Sequence, residues 1–257
     1  MKYIILILVL ALQLMAGVVK SPLISVDEQN GVATIKIDKI DVGMSGFIAH
    51  NISKEHSVIL KNVVVSSYDS NSKIATLKMS PYDALRNNAL PSGRWNVTVG
   101  DTAILAFGYT RGLLIAPNND IYHRITKSVK NLQWVHPDIF ATILSFNGHP
   151  TPLREDFTNF SIATSVGLAF IYLDKKLFTV DAKSFKILTI TDAQLKQEST
   201  QLPFYTRVEE IDAAWWGEGS SRLDYYEPYY YKLLTEANPD NKELQKIVNN
   251  FKPEASK

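Results

Sequence analysis

The sequence contains no cysteine at all. This absence excludes disulfide bonds, thiolate metal sites and a cysteine nucleophile. It also excludes attachment of a lipid to an N-terminal cysteine after export. Whatever stabilises the protein must therefore come from packing and hydrogen bonds, and 46% hydrophobic residues are enough for a substantial core.

An excess of charge of one sign is also missing. The 27 Lys and Arg residues nearly balance the 26 Asp and Glu residues, which leaves a formal net charge of +1. A nucleic-acid-binding surface normally shows clustered basic residues, and no run of Lys or Arg occurs here. We therefore expect no nucleic-acid partner.

Motifs that carry catalysis are absent too. There is no Gly-x-Ser-x-Gly turn and no phosphate loop ending in Gly-Lys-Ser or Gly-Lys-Thr. His123, His136 and His149 are spaced thirteen residues apart, whereas paired ligands on a helix fall three or four residues apart. We expect no metal, no cofactor and no catalysis. An enzyme would require His136, Asp138 or Asp156 to converge in one pocket.

The N-terminus has the pattern of a secretory signal peptide over residues 1–16. Lys2 precedes an apolar run from Ile4 to Met15, which ends near Ala16. A retained membrane anchor would need about 20 apolar residues, and Lys20 interrupts the run too early. The pattern predicts an exported protein of the periplasm or cell surface, with no transmembrane span after cleavage.

Residues 22–110 are predicted to form a β-rich module. Short runs with alternating apolar and polar residues, separated by turn residues, are typical of a small barrel or sandwich. The predicted strands are Leu23–Val26, Val32–Ile37, Gly46–Ala49, Ser57–Ser66, Ile74–Met79 and Thr102–Phe107. A short helix is predicted between Pro81 and Leu90.

Residues 111–235 are predicted to form an α/β module of the three-layer type, because strands and helices alternate after Gly112. The apolar runs 113–116, 132–135 and 167–173 are predicted strands, and helices are predicted at 119–129, from Pro137, and from Thr151 to Thr164. A hairpin follows over 176–190. Residues 236–257 are predicted to be a helix capped by Asn238 and a short tail that ends in lysine.

The segment after Gln201 is rich in aromatic residues and poorly periodic. Tryptophan and tyrosine dominate binding hot spots, because each offers a large rigid surface with a polar tip. An interaction surface for another protein is therefore one hypothesis, and the alternative is that these side chains cover the core of the α/β module. The candidate residues are Trp215, Trp216, Tyr225, Tyr226, Tyr229 and Tyr230.

Several short motifs occur in a fixed order along the chain. They are Val42-Gly43-Met44-Ser45-Gly46, Ser80-Pro81-Tyr82-Asp83-Ala84-Leu85, Leu114-Ile115-Ala116-Pro117-Asn118, Trp134-Val135-His136-Pro137-Asp138, Pro150-Thr151-Pro152 with Asp156-Phe157, Val166-Gly167-Leu168, and Leu202-Pro203-Phe204-Tyr205 with Trp215-Trp216. Together these motifs resemble the N-terminal domain of the plasminogen-binding protein A family of Helicobacter and related bacteria, and the resemblance spans about residues 20 to 235.

The resemblance implies a periplasmic or surface protein that captures host plasminogen. In the family this capture is ascribed to a lysine-rich C-terminal region that ends in lysine. The corresponding residues here are Lys252 and Lys257, on a short tail. A terminal lysine presents an ammonium and a carboxylate together, which acidic, basic and aromatic groups of a kringle can bind. The alternative is a structural or scaffolding protein of the cell envelope.

Overall fold

The computed structural model describes residues 17–82 and 95–251. The chain forms two compact units, and the division falls between Tyr109 and Thr110. Three predictions lie outside the described residues. They are the signal peptide at 1–16, most of the short helix expected near residues 81–90, and the tail with Lys252 and Lys257.

The first unit is a closed barrel of six antiparallel strands. The strand order around the barrel is β1-β2-β5-β4-β3-β6. All six predicted strands are confirmed, and the barrel alternative is the correct one. The strands are β1 (Val19–Asp27), β2 (Val32–Lys36), β3 (Ser45–Asn51), β4 (Ser57–Asp69), β5 (Ile74–Pro81) and β6 (Thr102–Leu105).

Alternating side chains explain why these runs form the barrel. In β2, Ala33 and Ile35 are completely buried, and they pair directly with Leu77 and Ala75 of β5. Successive side chains of a strand point to opposite faces, so the residues between them face outward. The period-two pattern thus fixes which face of each strand fills the barrel.

The second unit contains a five-stranded mixed sheet with the order β11-β10-β9-β7-β8. Strand β7 runs parallel to both β8 and β9, whereas β9, β10 and β11 are antiparallel neighbours. The predicted hairpin is confirmed as β10 and β11. The bounds are β7 (Arg111–Ile115), β8 (Gln133–Val135), β9 (Leu168–Leu173), β10 (Lys176–Asp181) and β11 (Ile187–Asp192).

Five helices belong to the described part of this unit. The first begins where the Asn118 side chain accepts a hydrogen bond from the Ile121 N–H at 2.9 Å, and the second begins at Pro137, as predicted. No helix among residues 17–82 and 95–251 has the length and apolar character needed to cross a membrane. The helices are α1 (Asn119–Ser128), α2 (Pro137–Asn147), α3 (Arg154–Thr164), α4 (Tyr226–Ala237) and α5 (Lys242–Asn250).

The prediction that Asn238 caps the last helix is wrong. Asn238 ends α4 and is buried, with its side-chain oxygen accepting from the Ile187 N–H at 2.9 Å. The last helix starts four residues later, because the Asn241 side chain accepts from the Leu244 N–H at 2.9 Å. Asn238 therefore joins the end of α4 to β11.

The core of the second unit is strongly aromatic. Phe140 of α2 lies at its centre, with ring centroids 4.8 Å from Phe157, 5.1 Å from Phe160 and 5.5 Å from Phe204. All four side chains are almost completely buried. The aromatic segment after Gln201 therefore begins inside the core and emerges from it further along the chain.

Candidate functional site

Trp215 and Trp216 lie on the surface of the second unit. Their exposed fractions are 100% and 85%, so they do not cover the core. Tyr226 and Tyr230, in contrast, are buried, with exposed fractions of 1% and 0%. Because both lie on the inner face of α4, they cannot belong to an interaction surface. Of the predicted tyrosines, only Tyr225 is largely exposed.

The hydroxyl groups of the buried tyrosines are satisfied inside the fold. Tyr230 donates to the Pro203 carbonyl at 2.9 Å, and Tyr226 lies within hydrogen-bonding distance of two backbone carbonyls. Tyr229 is partly buried and donates to the Pro152 carbonyl at 2.6 Å. Burial raises the pKa of all three side chains, so they remain neutral donors. These residues hold α4 in place.

The two tryptophans belong to a loop that is fixed at its first end. We call residues 212–221 the tryptophan loop. The Ser145 hydroxyl donates to the Asp212 carboxylate at 2.8 Å and accepts from the Asp212 N–H at 2.9 Å. Two residues later, the Ala214 N–H donates to the Gly148 carbonyl at 2.9 Å. The end of α2 therefore holds the loop immediately before Trp215.

The second end of the tryptophan loop is fixed as well. The Thr151 N–H donates to the Gly219 carbonyl at 3.1 Å, and the Thr151 hydroxyl donates to the Ser221 carbonyl at 2.7 Å. Trp215 and Trp216 thus stand between two sets of anchors. An exposed pair on such a loop is presented in a defined place, which reduces the entropy lost on binding.

Two glycines allow this close approach of the backbones. Gly148 has φ of 73°, and a Cβ there would lie 2.6 Å from the Ala214 Cβ. Gly219 has φ of 82°, and its Cβ would lie 3.0 Å from the Thr151 carbonyl oxygen. Both glycines have a positive φ, at which a side chain is strained, and a Cβ at either position would lie closer to its neighbour than ordinary van der Waals contact. Glycine is therefore part of the anchoring.

A buried carboxylate holds the segment on which the tryptophan loop rests. Asp156 is 0% exposed and accepts from the Leu153 N–H at 2.7 Å, from His149 Nδ1 at 2.9 Å and from Asn147 Nδ2 at 3.2 Å. It also occupies the first turn of α3, where a negative charge complements the helix dipole. Asp156 therefore fixes residues 147–153.

His136 and Asp138 contact each other, whereas Asp156 has different partners. His136 Nδ1 lies 3.1 Å from the Asp138 carboxylate, whereas Asp156 is paired with His149. Asp138 also accepts from the Thr206 hydroxyl at 2.9 Å and from the Arg207 guanidinium at 2.7 Å. Each carboxylate thus has its own structural role.

Two pKa shifts accompany the arrangement at the start of α2. Burial lowers the pKa of His136, and the nearby Asp138 opposes this effect only in part. Burial raises the pKa of Asp138, but hydrogen bonds from Arg207 and Thr206 outweigh it and hold the pKa below its ordinary value. A neutral His136 fits its role as a cap, since Nδ1 accepts from the Asp138 N–H at 3.2 Å.

His123, the third of the evenly spaced histidines for which no metal is expected, and His136 both lie close to the ring of Tyr122. The Tyr122 ring is 5.4 Å from His123 and 5.2 Å from His136. In the part of the chain that the structure describes, no three His, Asp or Glu side chains are grouped so that they could share a metal ion.

An open depression of about 400 Å³ lies beside the tryptophan loop. Acidic, basic and aromatic side chains meet there, so the depression offers contacts to both charges of a bound polypeptide. Its lining includes Thr151, Gly219, Arg222, Asp224, Tyr225 and Tyr229. Arg222 is also paired with the Glu210 carboxylate.

Sequence reasoning missed the residues that anchor the tryptophan loop. Ser145, Gly148 and Asp212 belong to no motif, Thr151 was noted only as part of Pro150-Thr151-Pro152, and the Ser145 and Asp212 side chains come from positions 67 residues apart. The one sequence signal for an anchoring turn was that Pro150-Thr151-Pro152 follows Gly148 closely. Tyr225 and Tyr229 were predicted, and both line the depression.

Comparison with known proteins places the chain within one family. The family described as plasminogen-binding protein pgbA N-terminal matches residues 18–234. Proteins named plasminogen-binding protein PgbA from two strains of Helicobacter pylori are each 26% identical over 200 residues, which cover 76% of this chain and 43% or 42% of the relative.

The chain therefore spans less than half the length of these relatives. No solved structure matches the fold. The matched residues 18–234 contain the barrel, the tryptophan loop and its anchors, whereas Lys252 and Lys257 lie beyond them. On this match over most of its length, the chain belongs to the plasminogen-binding protein pgbA N-terminal family.

Proposed function

We propose that this protein is an exported, non-catalytic binding protein, that its partner is plasminogen, and that the tryptophan loop is a contact surface for a protein. The observation that carries the proposal is the exposure of Trp215 and Trp216 on a loop fixed at both ends. Exposed aromatic clusters of this kind mark interaction sites. The choice of plasminogen rests on the names of the relatives.

Export to the periplasm or cell surface fits the same proposal. Residues 1–16 have the basic start and apolar run of a signal peptide. A protein that captures a host protein such as plasminogen must first leave the cytoplasm, so the proposal requires export. The chain has no cysteine, which leaves it unaffected by an oxidising compartment.

Capture through the C-terminal lysine is the finer part of the proposal. In a protein that ends at Lys257, the side-chain ammonium and the terminal carboxylate form a zwitterion, with Lys252 as a second cation nearby. Charged and aromatic groups of a partner can bind both ends of that zwitterion. Since the family match ends at residue 234, it includes the tryptophan loop but not the lysines, and the two proposed contacts are tested separately.

The test is binding of the mature protein to immobilised plasminogen. Four proteins are compared: the intact chain, a chain without Lys257, the W215A/W216A double variant, and the control Lys246→Ala. Lys246 is an exposed lysine of α5. We expect the intact chain and the control to bind equally, and the deletion and an excess of free lysine to weaken binding about tenfold or more, which corresponds to about 1.4 kcal/mol.

Each result has a definite meaning. Loss of binding in the double variant alone supports the tryptophan loop as the contact. Loss in the deletion alone, together with competition by free lysine, supports Lys257 as the contact. An intact chain that does not bind plasminogen overturns the choice of partner.

A second candidate function is a scaffolding protein of the cell envelope. What supports it is that the family match covers the folded units and not the lysines. The two candidates can be separated by placing a photocrosslinking residue at position 216 in growing cells. A crosslink to an envelope protein, with no binding to plasminogen, would favour the scaffold.

A further inference from the structure

The tryptophan loop lies in the most acidic stretch of an almost neutral chain. Residues 209–227 contain six acidic residues and one arginine, which gives this stretch a formal charge of −5, whereas the whole chain carries +1. The acidic residues are Glu209, Glu210, Asp212, Glu218, Asp224 and Glu227. Such a local excess attracts a partner of opposite charge.

Some of these carboxylates have partners within the fold. Glu210 is paired with Arg222, which neutralises the one cation of the stretch. The Asp212 carboxylate accepts a hydrogen bond from the Ser145 hydroxyl, and the Glu227 carboxylate accepts one from Gln197 Nε2 at 2.7 Å. Their charges therefore serve the fold as well as the surface.

Glu209, Glu218 and Asp224 remain available. All three are exposed, and no basic side chain of residues 17–82 or 95–251 forms an ion pair with them. Glu218 stands two residues after Trp216. A negatively charged residue thus closely follows an exposed indole in the sequence of the same loop.

Indole rings and carboxylates both attract organic cations. The face of a tryptophan attracts ammonium and guanidinium groups, and it does so more strongly than the face of any other side chain. A nearby carboxylate attracts the same cations by charge. A membrane of anionic lipids, in contrast, would be repelled by Glu209, Glu218 and Asp224. The chemistry therefore favours a cationic polypeptide over a lipid surface.

From this combination we infer that the tryptophan loop binds a lysine- or arginine-bearing segment of a partner protein. The inference deepens the proposed function, since it rests on the loop as a contact surface and names the chemistry of the partner. It is independent of Lys257, because here the chain supplies the anions and aromatic rings and the partner supplies the cation.

The test uses the mature full chain and a fluorescent ten-residue peptide of alternating glycine and lysine. The peptide is acetylated and amidated, so it has no terminal zwitterion. Matched peptides carry norleucine or glutamate in place of lysine. We expect the lysine peptide to bind about tenfold more tightly than either control peptide. We also expect its affinity to fall when the salt concentration rises from about 50 mM to about 300 mM, because salt screens the attraction between the charges.

Variants locate the site. W215A/W216A is expected to weaken binding of the lysine peptide about tenfold, and Glu218→Gln is expected to weaken it severalfold. The control Glu55→Gln, an exposed acidic residue of the β3–β4 hairpin, leaves the affinity unchanged. Deletion of Lys257 also leaves it unchanged, which separates this result from the plasminogen experiment.

Three outcomes would overturn the inference. Equal affinity for the lysine and glutamate peptides would remove the role of charge. Peptide binding that appears only after residues 252–257 are removed would assign the loop to the chain's own tail. Binding to phosphatidylglycerol vesicles, without binding to the lysine peptide, would assign it to a membrane.

Discussion

Gly148 and Ala214 lie so close together that a methyl group at residue 148 would stand 2.6 Å from the Ala214 Cβ. The same two residues are joined by a hydrogen bond of 2.9 Å from the Ala214 N–H to the Gly148 carbonyl. This contact fixes the backbone immediately before Trp215. The position of the exposed tryptophans therefore depends on a residue with no side chain.

Gly148→Ala is expected to destabilise the second unit by about 2–4 kcal/mol, because it adds a steric clash to the strain of a positive φ. The control is Gly217→Ala in the same loop. Gly217 also has a positive φ, of 119°, but nothing lies within 4 Å of a Cβ there. Urea unfolding measures both losses. A loss in Gly148→Ala no larger than the roughly 1–2 kcal/mol of a left-handed alanine would mean that the contact with Ala214 contributes nothing.

Asp156→Asn is expected to cost about 2–3 kcal/mol, because a neutral amide replaces a buried carboxylate that accepts three hydrogen bonds. The neighbouring Glu155 is exposed, and Glu155→Gln should cost under about 1 kcal/mol, the size of a helix-dipole effect. Thermal unfolding of the two variants gives the comparison. A loss no larger in Asp156→Asn than in Glu155→Gln would show that Asp156 does not hold this segment.

The W215A/W216A double variant should leave the free energy of unfolding unchanged within about 0.5 kcal/mol, since both side chains are exposed. Trp134 provides the contrast. Its ring lies 5.0 Å from the Phe170 ring and its Nε1 donates to the Val129 carbonyl at 3.3 Å, so Trp134→Ala should cost about 3 kcal/mol. Unfolding in urea distinguishes them. A large loss in the double variant would mean that the loop tryptophans support the fold.

The lowered pKa of His136 predicts a loss of stability in mild acid. The contribution of His136 is fully present above its unfolded value of 6.5 and is lost as the pH falls through the lower folded value, because protonation then favours the unfolded chain. The lowered pKa of Asp138 acts in a separate window, below its ordinary value of 3.8.

His136→Asn removes the titrating ring and keeps a hydrogen-bond acceptor near the Asp138 N–H. We expect this variant to show a flatter dependence of the urea midpoint on pH between about 7 and 5. The exposed His56 supplies the control His56→Asn, which should keep the wild-type slope. An unchanged slope in His136→Asn would show that His136 does not cause the acid sensitivity.

The barrel strands could be predicted from the sequence because their signal is local. In β2 and β5, the alternation of apolar and polar residues directly reflects inside and outside. The hairpin of β10 and β11 was predictable for a similar reason, since its two strands are neighbours in the chain. Antiparallel neighbours joined by short turns need no distant information.

Helix α4 was not predicted from the sequence, because tyrosine occurs both on protein surfaces and in protein cores. Its buried residues include Tyr226, Tyr230 and Leu233, which follow helical spacing only if tyrosine is counted as apolar. Without α4 in the prediction, Asn238 was interpreted as the N-cap of the last helix, whereas it ends α4. The neighbouring helix decides which role an asparagine takes.

The candidate site was predictable only in part. The composition of the Trp215-Trp216 segment indicated an interaction surface, but its exposure depends on anchors from a remote part of the chain. Ser145 and Thr151 are ordinary residues in the sequence and become informative only when the fold sets them against Asp212 and Ser221. Tertiary contacts of this kind leave no local pattern.

The closure of the six-stranded barrel limits how the first unit can recognise other molecules. Every strand of the barrel pairs with a neighbour on each side over at least part of its length, so the described residues 17–82 and 95–109 include no edge strand that a strand from a peptide or from a second copy of the chain could extend. Recognition by this unit must therefore use outward-facing side chains and the turns between strands. The ring of strands thereby also protects the chain against edge-to-edge aggregation.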